Sequence, residues 1–149
     1  MNHHLLLTIH LLSATVWVGG HLLLVFGHLP QAIRERNQQL ILDYEKKYEP
    51  VGMTALVLLV VSGILMAYHY GVGIDKWFHF ASPVESVISI KICLLLLTVA
   101  FALSAQFRVL PKLKNNSDKL PVMAFHIISV TLIGVAMLVF GTFIRYGGI

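Results

Sequence analysis

Apolar residues dominate four long stretches of the chain, and most charged residues fall between them. The stretches cover residues 5–29, 51–70, 84–110 and 121–144. Each reaches the roughly 20 residues that a helix needs to cross a hydrocarbon core. A helix is the required form, because at that depth every backbone N–H and C=O must be satisfied within the segment. Pro30 and Pro111 follow the first and third stretches and predict helix ends there, while Pro121 suits the first position of the fourth helix. Residues 31–49 mix charges of both signs and predict a helical extension of the first two helices beyond the bilayer. No internal repeat or low-complexity tract stands out. The expectation is one domain over residues 1–149, an all-α integral membrane antiparallel four-helix bundle.

Composition narrows the class further. Hydrophobic residues make up 57% and charged residues 12%, against about a quarter charged in a soluble domain. The net charge of +4 does not point to nucleic acid, because Lys and Arg sit in short links flanking apolar runs, where they mark topology in a lipid membrane. Arg34, Arg36, Lys46, Lys47, Arg108, Lys112, Lys114 and Lys119 lie in the two links on one side, against Lys76 and Arg145 on the other. This bias predicts basic links in the cytoplasm and both termini outside (N-out/C-out). The first run has no Lys or Arg ahead of it and is too long for a signal peptide, so it reads as a retained first helix. The lone Cys93 excludes a disulfide within the chain and a Cys-based zinc site, and reads as a small buried apolar residue.

Candidate chemistry lies in the polar residues inside the apolar runs. An ionisable group at membrane depth is expensive and marks a functional site by default. At about 1.5 Å of rise per residue, His10, Lys91 and His69 fall in an outer layer. His21 and His126 fall in an inner layer, and His28 falls at the inner interface. Two histidines on different helices at matching depth can clamp a haem from both faces. The inner pair meets that condition, and His10 with His69 forms a second candidate pair. Lys91 is a candidate partner for a haem propionate, a substrate carboxylate or Glu85. Trp17 stands beside Gly19 and Gly20, which permit close approach of a helix or a flat cofactor. A free Met1-Asn2-His3 terminus would offer an amine, two amides and an imidazole in the square-planar pattern of Cu(II), with His4 and His79 as added ligands. Trp77, Phe78, Phe80, Tyr68, Tyr70 and Tyr146 read as an outer aromatic belt.

Several motifs carry a resemblance. His10-Leu11-Leu12-Ser13-Ala14-Thr15-Val16-Trp17-Val18-Gly19-Gly20 resembles the first-helix signature of the copper-resistance protein D family, which HemJ-type protoporphyrinogen oxidases share. Tyr44-Glu45-Lys46-Lys47-Tyr48 and Ser62-Gly63 are similar to both. Lys91 resembles a lysine of the HemJ type, while Arg108-Val109-Leu110-Pro111-Lys112 and Phe143-Ile144-Arg145-Tyr146-Gly147-Gly148 look more like copper-resistance D relatives. The resemblance implies a four-helix haem b membrane protein with redox character, with His10 as haem ligand and Lys91 as its functional partner. The expected function is thus a cytochrome b-like redox protein with a copper site at the outer face. Its expected partners are a quinone or a periplasmic redox protein, and other copies of the chain in a homo-oligomer. The alternatives are a HemJ-type protoporphyrinogen oxidase, a copper-binding or transport protein without haem, and a purely structural bundle.

Overall fold

The computed structural model describes residues 2–148. Four helices run back and forth: α1 (His3–Glu35), α2 (Gln39–His69), α3 (Pro83–Leu113) and α4 (Ser117–Arg145). All four are long and apolar enough to cross a membrane, and no strand occurs among the described residues. Between 22% and 28% of the most apolar stretch of each helix is buried within the chain. The remaining hydrocarbon faces outward, an arrangement that lipid solvates and water does not. Within the helices Phe26 and Phe107 stand out, at 77% and 73% exposed. The protein is a multi-pass membrane protein. Cys93 lies on this outward face of α3 and is not a core residue.

The helices are longer than their apolar runs. At 33 residues, α1 spans about 50 Å against about 30 Å of hydrocarbon. Neither Pro30 nor Pro111 ends its helix. Leu24–His28 and Ala105–Val109 wind as single π-turns, closed by Leu29 N–H to the Leu24 carbonyl and Leu110 N–H to the Ala105 carbonyl. The wider turn sets each proline in the first turn of a renewed α-helix, where its missing N–H is not needed. The two π-turns share a local sequence, Phe26-Gly27-His28-Leu29-Pro30 and Phe107-Arg108-Val109-Leu110-Pro111. The α1–α2 and α3–α4 halves therefore repeat this feature. Arg36 turns the chain with φ of 49°, and α2 starts at once, well before its apolar run.

α1 packs along α2 and then α4, and α3 packs along α4, but α2 and α3 scarcely touch. At the end of the bundle that carries the basic links, Leu24, Ile41, Leu113 and Ile127 draw all four helices together. Trp17, Val18, Ala55 and Val130 form a smaller cluster midway. Ala67, Val72 and Ile88 close the end that holds the termini. The linker into α3 is capped on both sides. Ser82 Oγ accepts Glu85 N–H at 3.2 Å, and Glu85 Oε2 accepts Ala81 N–H at 3.2 Å. Glu85 is thereby engaged at the helix start and not with Lys91.

Candidate functional site

The poor contact between α2 and α3 leaves a cleft of about 290 Å³ toward the basic end. Trp17 and His21 reach it from α1, Tyr48 and Met53 from α2, Gln106 from α3 and His126 from α4. Gln106 Nε2 donates to Glu49 Oε1 at 3.3 Å and ties α2 to α3 across the mouth. The wall is mostly apolar with few polar groups, the usual make-up of a small-molecule site.

Both histidines of the cleft are held in one way. His21 Nδ1 lies 2.8 Å from the Trp17 carbonyl, and His126 Nδ1 lies 2.8 Å from the Val122 carbonyl. A carbonyl only accepts, so Nδ1 carries the proton in each ring and Nε2 keeps its lone pair. Helical spacing produces this, because a side chain four residues on leans back over the preceding turn. Ser104 Oγ stands 3.0 Å from His126 Nε2 and donates to it. Trp17 packs against the His21 ring at 4.4 Å.

The close neighbour of Gly20 is a tyrosine from α2, a helix contact, one of the two neighbours expected there. A Cβ there would collide with the ring of Tyr48, and so would a Cβ at Gly52. The tyrosine ring thus fills a slot between the two glycines. Tyr44 stacks on it at 5.4 Å and donates its hydroxyl to the Gly20 carbonyl at 2.6 Å. Tyr48, Ser104 and Met53 escape a reading based on depth alone, because their positions depend on helix register. The tyrosine spacing Tyr44–Tyr48, one turn apart, was the available signal.

A second polar layer lies nearer the termini. His10 Nδ1 donates to Ser62 Oγ at 2.9 Å, while the Ser62 hydroxyl donates to the Leu58 carbonyl. The His10 ring also lies over Gly63, where a Cβ would come within 3.2 Å of it. Lys91 is half-buried, with its ammonium close to Gly141, and it has no ion pair among the described residues. An unpaired ammonium in this setting opposes folding. Lys91→Met keeps the length and removes the charge, so it is expected to raise the unfolding free energy in detergent by about 1–3 kcal/mol. Chemical or thermal unfolding checks this, and a loss of stability would mean that the ammonium has a partner in the folded protein.

The structure does not bring His10 and His69 together. His69 is exposed and stacks on His3 at 4.6 Å and 16°. Tyr70 meets His3 edge-on at 5.6 Å, and His4 is 6.3 Å from His3. His3 Nδ1 is buried without a hydrogen-bond partner among the described residues. His79 is exposed on the α2–α3 linker. No group of three or more His, Cys, Asp or Glu assembles a metal site among the described residues. The Met1 amine expected to complete a copper site lies outside the described residues.

No curated protein and no solved structure matches the chain. A family model described as Copper resistance protein D matches residues 43–145. That span runs through most of α2 and all of α3 to the end of α4. It includes Tyr48, Lys91, Gln106 and His126, while His10, Trp17 and His21 precede it on α1. With over half of its length matched, the chain belongs to the copper resistance protein D family.

Proposed function

We propose that the cleft between α2 and α3 holds haem b between His21 and His126, and that the protein is a cytochrome b-like redox protein of the membrane. One observation carries this reading. Two imidazoles from different helices line one cleft, each with Nδ1–H given to a carbonyl of its own helix, so that Nε2 is the nitrogen clear of the backbone. That is the ring orientation an axial ligand needs. The donor set fits the group, and its volume requires the open side of the cleft. The cleft is close to the lower bound of small-molecule sites, about 300 Å³, and it stays open on the α2–α3 side. The Ser104 hydroxyl can leave His126 Nε2 by rotation about one bond and donate to its own helix instead. Bound haem supplies one-electron exchange. The chain orients both ligand rings, lines the cleft mostly with hydrocarbon and ties α2 to α3 at its mouth with the Glu49–Gln106 hydrogen bond.

The basic residues gathered at one end support insertion into a bacterial inner membrane with that end in the cytoplasm. A quinone or a periplasmic redox protein is then the electron partner, and a homo-oligomer the assembly. A second reading places copper in the same cleft. Met53 and Met123 line it beside the two histidines, and a thioether–imidazole set suits Cu(I). The family description favours this reading too. The unpaired Lys91 supports a third, HemJ-type oxidation of protoporphyrinogen, whose carboxylates would meet the ammonium. Growth rescue of a haem-synthesis-deficient strain tests that one.

The deciding experiment is the visible spectrum of the detergent-purified protein, oxidised and dithionite-reduced, with metal quantification. A Soret band with sharp reduced α and β bands supports the haem site. A colourless protein carrying stoichiometric copper supports the second reading. A protein with neither, after expression with ample haem and copper, overturns both.

A further inference from the structure

One backbone carbonyl in the cleft serves two side chains. The Trp17 carbonyl accepts His21 Nδ1–H at 2.8 Å, and the Tyr48 hydroxyl stands 3.0 Å from that same oxygen and 3.0 Å from the Val16 carbonyl. A phenol has one proton, so Tyr48 donates in a three-centre bond. The hydroxyl cannot drift, because its ring is set in the Gly20–Gly52 slot, stacked on Tyr44 and edge-on to His21 at 5.8 Å and 88°. A carbonyl oxygen that accepts from two side chains binds each less strongly than it would bind one alone.

We propose that Tyr48 is a positioning residue for His21: by sharing the Trp17 carbonyl, it sets the orientation of the ring and the donor strength of its Nε2. The effect on a bound cofactor rests on the reading of His21 as a ligand, while the effect on the imidazole itself does not. Without the phenol, the His21 Nδ1–H bond to Trp17 shortens. The ring then becomes a stronger donor through Nε2 and favours an oxidised iron over a reduced one.

The test uses the full chain in detergent with Tyr48→Phe, which keeps the ring in its slot. Tyr44→Phe is the control, because its hydroxyl goes to the Gly20 carbonyl, which no histidine side chain uses. In cofactor-free protein labelled with ¹⁵N-histidine, the His21 Nδ1–H proton resonance moves downfield in Tyr48→Phe and stays put in Tyr44→Phe. Incorporating 3-fluorotyrosine, a stronger donor, moves it upfield, and this keeps the test available where Tyr48→Phe folds poorly. In haem-loaded protein the midpoint potential falls in Tyr48→Phe alone, at equal haem content. A resonance that stays put in Tyr48→Phe and with fluorotyrosine, or moves equally in both phenylalanine variants, overturns the proposal. A resonance that moves in a protein that binds no haem leaves Tyr48 its role and removes only the haem site.

Discussion

Gly20→Ala is expected to destabilise the bundle by about 2–4 kcal/mol, although it adds one methyl group to a helix. The new Cβ would occupy the place of the Tyr48 ring. The ring has little room to retreat along α2, because it also lies close against Gly52 on its other side. Overpacking of this kind typically costs about 1–3 kcal/mol. Displacing the ring also breaks the Tyr48 hydroxyl bonds to α1, worth about 1 kcal/mol. Gly19→Ala supplies the contrast. A Cβ there meets nothing within 4 Å, and the position faces outward, so the substitution is expected to be neutral or to stabilise by up to about 1 kcal/mol through helix propensity. Thermal unfolding of the two neighbouring variants in the same detergent measures both. Equal effects would mean that α1 and α2 do not meet through this slot.

The four spans, their order and the single-helix character of each were legible because lipid imposes a simple rule: a long apolar run must be a helix. The helix ends were not. Pro30 and Pro111 look like stops, and the π-turns that carry the helices past them change no residue's polarity, so no periodicity reports them. Depth arithmetic placed His21 and His126 in one layer, and the two line one cleft, because depth depends only on counting along a helix. Neighbours across helices need rotation as well as depth. His10 therefore meets Ser62, about two turns along α2 from His69, while His69 faces His3. Gly20 announced a close approach, but whether a ring or a cofactor makes it depends on the tight turn at Arg36, which sets the register of α2 against α1.

His21→Ala combined with His126→Ala is expected to abolish haem binding, while His10→Ala keeps it. In the proposed haem site each cleft histidine is fixed through Nδ1 by a carbonyl on its own helix. Met53 and Met123 line the same cleft, so a single substitution leaves a histidine–methionine set. Single variants are therefore expected to retain some haem with altered reduced α bands and a raised midpoint potential, since thioether ligation favours the reduced iron. Only the double variant should be colourless. Ser104→Ala removes the hydroxyl that sits on His126 Nε2 and is expected to leave haem content unchanged or increase it. Haem content by pyridine haemochrome, with reduced spectra of each variant, reads all of these. Colour lost in His10→Ala and kept in the double variant would move the site to the layer of His10, Ser62 and Lys91.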